Sequence, residues 1–270
     1  MRLQLDLQAV SQHETIPINY NYPIAAWMYH ALYESSPDYA AFLHNRGYSG
    51  SDGKFRKLFT FSRLHIQPRA QRSGDILKIT PRHRLRLYFS SPMVDEFIQY
   101  LVMGCFQQQV MEISNTRTTA RLTVQRVEAL PEPIWTSPLR VRALSPIVVT
   151  TVRERGGRLD KHYLRPHDPE LSERIRRSLI KKYETLHGTA PSACDLKVHP
   201  HLKGRRAYDP ERCMSLVTLK EGQPDQTRVK GFLCPMTLTG SLDLIRTAWE
   251  CGIGDQTSMG FGCVGVEEKS

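Results

Sequence analysis

Alternation opens the chain. In MRLQLDLQAV the apolar Leu3, Leu5, Leu7 and Ala9 take every second place, with Gln4, Asp6 and Gln8 between them, which is the period of a strand with one buried face. Later segments switch to the helical period: over residues 169–187, Leu171, Ile175, Leu179 and Leu186 form one apolar stripe. Arg174, Arg176, Arg177, Lys181 and Lys182 cover the rest of that helix and read as a solvated surface. In ITPRHRLRLYF the strand period returns, with Arg82, Arg84 and Arg86 on one face and His83, Leu85 and Leu87 on the other.

Taken along the chain, the pattern predicts a strand over 2–9, helices over 22–34 and 37–45, strands over 57–67 and 74–90 (the latter broken internally), a helix over 92–104 and a strand over 119–129. LPEPIWTSP then places three prolines in nine residues, the mark of a seam. Beyond it come a strand over 139–152, a helix over 169–187, a strand over 194–203, a strand pair over 213–220 and 229–238, a helix over 240–251 and a strand over 261–267. Each half gives β-α-β-β-α-β, the ferredoxin-like order. The expected class is therefore α+β, with two tandem ferredoxin-like domains over 1–131 and 137–270. Trp27 and Trp249 read as core.

Charge adds a partner class. The net charge is +10 and the pI about 9.4, with the basic excess shared by both halves, which suits a polyanionic partner. The six cysteines form no C-x-x-C pair and no metal spacing, and read as small hydrophobes in a reducing cell. With a strand-like N-terminus and no apolar run near ~18 residues, the expected location is the cytoplasm.

One stretch resists a purely structural reading. GIGDQTSMGFGCV, residues 252–264, carries Gly252, Gly254, Gly260 and Gly262 between a helix-like and a strand-like segment. A dinucleotide fingerprint has the opposite order, strand then helix, and a P-loop needs a lysine that this stretch lacks. Either the cluster is a difficult turn, or its main chain is approached by another molecule, with Gly260 and Gly262 clearing side chains from the contact.

These features together resemble the RAMP superfamily of CRISPR-associated RNA-binding proteins. The motifs AWMYHAL (26–32), FLHNRG (42–47), KLFTFS (57–62), LSPIVVTTVR (144–153) and the terminal glycine loop are similar to those of its precursor-crRNA processing endoribonucleases. The resemblance implies cleavage of CRISPR repeat RNA without a metal or cofactor, by attack of a ribose 2′-hydroxyl on the adjacent phosphate. It implies a tyrosine and a histidine in the first domain with a lysine nearby. Tyr29 and His44 match the first two by motif, and Lys57 matches the third. NRGYSGSDGKFRK is longer than the family pattern here, so Lys54 stays a rival. Glycine-loop contacts would be joined by arginine clamps on the RNA, for which Arg82, Arg84, Arg153 and Arg155 are the candidates. Other CRISPR-associated proteins are candidate partners, and monomer and homodimer are both open.

The chemistry is consistent with these residue types. Histidine donates a proton near neutrality, which suits His44 as general acid. Tyrosine is a poor base unless cations depress its pKa, so Tyr29 is either base or positioner of the 2′-hydroxyl. Fifteen residues of unbroken helix would separate the two by about 22 Å. ESSPDY removes that obstacle, because Ser36 and Pro37 are favourable as N-cap and first residue of a second, returning helix. A RAMP protein that binds guide RNA without cutting it would share the fold, the charge and the glycine loop.

Overall fold

The computed structural model describes residues 1–202 and 212–267; the side chains of Arg155 and Arg158 fall outside that description. Two compact units emerge. The first joins Met1–Gly47, Arg63–Glu132 and Val217–Arg228, and the second joins Tyr48–Ser62, Pro133–Leu216 and Val229–Ser270.

In the first unit, β1 (Arg2–Ala9) lies at the centre of an antiparallel sheet with β2 (His65–Gln67), β3 (Arg84–Ser90), β4 (Val110–Ser114) and β5 (Thr119–Leu130). The spatial order β4-β5-β1-β3-β2 is the ferredoxin-like arrangement with β4 added at an edge. Leu5 stands opposite Leu87 on β3 and Val127 on β5. The alternation seen in the sequence is the reason: Leu3, Leu5 and Leu7 are buried, as are Leu85, Leu87 and Phe89. The connecting helices are α1 (Asn21–Ser35), α2 (Pro37–Asn45) and α3 (Gln99–Gln107), the last entered through a π-type turn at Val94–Ile98. Ile24, Met28 and Leu32 recur every four residues on α1 and are fully buried. At about 1.5–3 kcal/mol per buried aliphatic side chain, this face holds α1 in place.

The second unit repeats the scheme. Its sheet is β6 (Leu139–Ala143), β9 (Leu196–Pro200), β10 (Pro235–Gly240) and β11 (Val264–Val266), in the order β9-β10-β6-β11. Two helices cover it, α4 (Leu171–His187) and α5 (Leu242–Cys251). Between β6 and α4 the chain makes a hairpin of β7 (Thr150–Arg155) and β8 (Arg158–Tyr163). Ile175 and Leu179 of α4 and Leu244, Ile245 and Ala248 of α5 join Val141, Val198, Met236, Leu238 and Val264 of the sheet in one core. Ser241 caps α5, its hydroxyl accepting from the Leu244 N–H at 3.5 Å. Trp27 and Trp249 are both 3% exposed, so both are core.

Candidate functional site

In the first unit a helical turn brings two candidate residues together. The Ser36 N–H donates to the Leu32 carbonyl at 2.8 Å and closes α1, after which Ser36 is extended and Pro37 occupies the first turn of α2. Ser36 is N-cap by position, with no capping hydrogen bond from its side chain. The returning helix sets the Tyr29 and His44 rings 5.3 Å apart between centroids, almost perpendicular at 81°. Tyr29 is half-buried and His44 is exposed. Burial, with Tyr39 adding to it, pushes the Tyr29 hydroxyl above its ordinary range. The phenol therefore keeps its proton at neutral pH. His44 Nδ1 lies 3.2 Å from Asn45 Oδ1, within hydrogen-bond distance.

The second unit contains a basic cleft of about 570 Å³. Lys54, Phe55, Arg56, Lys57 and Leu58 form one wall, α4 gives Arg174, Arg177, Ser178, Lys181 and Lys182, and Gly254–Ser258 of the glycine loop gives a third side. Lys57 is half-buried, and desolvation lowers its pKa. Lys54 is exposed. Arg56 is held by Asp52 through two hydrogen bonds of 2.8 Å, which keeps the Asp52 carboxyl well below the usual carboxylate range. Arg174 donates to Thr151 Oγ1 at 2.7 Å, and Arg177 pairs with Glu173 one turn earlier. Exposed pairs of this kind contribute little, so a phosphate can replace the carboxylate.

The glycine loop differs from the expectation. Gly252, Gly254, Gly260 and Gly262 all have positive φ, from +70° to +80°, and all are buried. A Cβ on Gly260 would sit 2.2 Å from the Phe61 ring, and one on Gly262 would sit 2.0 Å from the Ile253 carbonyl oxygen. Their N–H groups already donate to the Thr257 and Pro146 carbonyls. The reading of Gly260 and Gly262 as clearances for an RNA contact is thus corrected: they clear space for the protein's own core. Gly252 likewise packs on Thr60, and only Gly254 of the four borders the cleft. What the loop presents to the cleft is its half-buried shoulder, Asp255, Gln256 and Ser258.

One residue is corrected in the opposite direction. Lys182, read as solvated, is 8% exposed, and its Nζ donates to the carbonyls of Gly252 at 2.7 Å and Gly254 at 3.0 Å. The signal was present, since 175, 179, 182 and 186 continue one helical stripe.

The arginine candidates divide between the units. Arg84 and Arg86 project from the polar face of β3, where Arg86 meets Asp6 at 3.3 Å; Arg82 is exposed in the turn that leads into the strand. His83 is not part of the strand, and its Nδ1 accepts from the Thr80 N–H at 3.0 Å. Arg153 on β7 is exposed and pairs with Glu170 at 3.0 Å, while the Arg155 side chain lies outside the described residues. Among the described residues no group of three or more His, Cys, Asp or Glu is placed to hold a metal, and no described helix is long and apolar enough to cross a membrane.

Comparison with known proteins covers nearly the whole chain. Residues 15–126 match the family described as CRISPR-associated protein Cas6, N-terminal, and residues 130–266 match CRISPR associated protein Cas6, C-terminal. The CRISPR-associated endoribonuclease Cas6 1 of Methanocaldococcus jannaschii is 30% identical over 277 residues, which span 100% of this chain and 94% of that protein. The solved structure of a Cas6-related gene product from Pyrococcus furiosus is similar at 25% identity with a TM-score of 0.80, over 100% of this chain and 99% of that one. A further solved structure, of a CRISPR associated protein Cas6, is 26% identical with a TM-score of 0.74 over 99% of each chain.

Proposed function

Because the chain belongs to the Cas6 family of CRISPR-associated proteins, we propose that it is an endoribonuclease that cuts precursor transcripts within the CRISPR repeat. The observation that carries this reading is the meeting of Tyr29 and His44 at 5.3 Å, at the positions where the motifs place the reactive pair. The reaction is metal-independent transesterification. The ribose 2′-hydroxyl gives its proton to solvent water as its oxygen forms a bond to the adjacent phosphorus, the bond from phosphorus to the 5′-oxygen breaks, and His44 gives its proton to that departing oxygen. The products are a 2′,3′-cyclic phosphate and a 5′-hydroxyl.

Tyr29 has the role of positioner. With its hydroxyl pushed up by burial it remains a neutral donor, which suits holding the 2′-hydroxyl or a phosphate oxygen in line and not removing a proton. The RNA backbone is held by cations: Lys54, Lys57, Arg174 and Arg177 in the basic cleft, and Arg82, Arg84 and Arg153 on the exposed surfaces of their own units. Of the two lysines that the motifs leave open, Lys57 is the better candidate for holding phosphate charge. Its half-buried ammonium works in a less screened environment than the exposed Lys54.

The test is one incubation with repeat RNA in the presence of EDTA, using the wild-type protein and His44→Ala. The wild type should cut, and His44→Ala should bind RNA about as well while cutting about 10²-fold more slowly or worse. Wild-type binding without cutting would instead support a RAMP protein that holds guide RNA. Cutting by His44→Ala at the wild-type rate would remove His44 from the mechanism.

A further inference from the structure

We propose that Lys182 is a positioning residue for RNA binding: by holding the carbonyls of Gly252 and Gly254 it fixes the glycine-loop shoulder that borders the basic cleft. This rests on the reading of the cleft as an RNA contact. The position belongs to the apolar stripe of α4, yet the chain carries an ammonium there that is 8% exposed. A buried ammonium needs acceptors. It finds them in the two carbonyls at 2.7 and 3.0 Å, and Ser178, one turn earlier on α4, places its hydroxyl 3.5 Å from the Gly254 carbonyl. Gly252 is also the C-cap of α5, so the cation sits at the negative end of a helix dipole.

Two glycines shape the start of the shoulder. Gly252 and Gly254 adopt φ of +77° and +80°, which aim successive carbonyls in directions an ordinary residue seldom allows. The Asp255 N–H donates to the Val148 carbonyl at 2.7 Å, and the Asp255 carboxylate accepts from the N–H and hydroxyl of Thr150 at 2.9 and 2.6 Å. Lys182 and Thr150 thus both hold the start of the shoulder. Asp255, Gln256 and Ser258 follow directly.

Burial holds the Lys182 ammonium down to about 8, with Cys251 and Asp255 raising it and Arg56 lowering it further. Between about pH 7 and pH 9 the grip therefore changes from charge-assisted to neutral hydrogen bonds. A residue that merely filled space would give binding no such dependence.

The experiment measures anisotropy of fluorescein-labelled repeat RNA in EDTA, in a His44→Ala background that leaves the probe uncut. Lys182→Met keeps the volume and removes a buried charge, so the variant should fold. It should bind about tenfold more weakly at about pH 7, and Lys182→Arg should recover part of that loss. The parent should lose affinity between about pH 7 and pH 9 more steeply than Lys182→Met. Binding by Lys182→Met within about twofold of the parent, with the same pH slope, overturns the proposal while leaving the nuclease reading intact. If Lys182→Met does not fold, the parent's own profile decides, and an affinity flat over that range overturns it. Cleavage of the probe by the His44→Ala parent would instead count against the nuclease mechanism.

Discussion

Gly260→Ala should damage the fold, not the RNA contact. Two costs can be worked from the structure. Gly260 has φ +75° and ψ +37°, the left-handed region, where a residue with a Cβ loses roughly 1–2 kcal/mol. The new methyl would also lie 2.2, 2.6 and 2.8 Å from three carbons of the Phe61 ring. Phe61 is 1% exposed, so the ring cannot swing into solvent, and such overpacking typically costs about 1–3 kcal/mol. Together these give about 2–5 kcal/mol, a large share of the ~5–15 kcal/mol that holds a typical domain. The assay is thermal unfolding by circular dichroism, with Gly53→Ala as the control. Gly53 has a similar φ, +71°, but nothing within 4 Å of its would-be Cβ. Gly53→Ala should therefore show only the backbone cost, and Gly260→Ala should melt lower by the steric part, on the order of 5 °C or more. Gly260→Asp should be worse still. A Gly260→Ala variant that melts with the Gly53→Ala control yet binds RNA poorly would refute this reasoning and restore the loop as a direct RNA surface.

The remaining predictions concern charge and protons. Tyr29→Phe should lower the cleavage rate without removing the rise of rate with pH, because a phenol held above its ordinary pKa is not the titrating base. Disappearance of that rise in Tyr29→Phe would make tyrosine the base after all. RNA affinity should fall with salt by ~0.7 log units per log unit of salt for each phosphate contacted, and Arg177→Ala should reduce that slope by about one contact. Lys182 should also make stability depend on pH. Its folded pKa, about 8, lies below the unfolded 10.5, so the cost of burying the charge is full below pH 8 and disappears as pH rises to 10.5. Wild-type stability relative to Lys182→Met should therefore rise by up to about 3 kcal/mol over that window, as read by urea unfolding.

The parts of the fold written locally were legible. β1 begins and ends where the alternation does, and the break between α1 and α2 falls at Ser36–Pro37 because those residues end one helix and start another within six positions. The contact of Tyr29 with His44 follows from that same turn, since two short antiparallel helices return their side chains to one level. Longer strand readings failed where the backbone bends for reasons outside the segment. The stretch 57–67 is broken into Thr60–Phe61 and His65–Gln67, preceded by Leu58 at φ +43°. The stretch 139–152 stops at Ala143, after which the N–H groups of Leu144 and Ser145 both donate to Cys263, more than a hundred residues away. The β7–β8 hairpin has a local signature, since Gly156–Gly157 between two short strands is a hairpin-turn pair. The glycine loop gave the strongest signal, and the sequence does not say what comes close to it. Composition reveals that the backbone must turn or be approached closely, whereas the approaching groups, Phe61 and Val148, are set by tertiary packing.

The central claim is that the ribose 2′-oxygen attacks and His44 supplies the proton. It is tested most directly by incubating the wild-type protein in EDTA with repeat RNA and with the same RNA carrying a single 2′-deoxy nucleotide at the mapped cut position. The account predicts one cut in the first RNA, leaving a 2′,3′-cyclic phosphate and a 5′-hydroxyl, and none at that position in the second. Cutting of the 2′-deoxy RNA, or products ending in a 3′-hydroxyl and a 5′-phosphate, would contradict it, because water would then be the nucleophile.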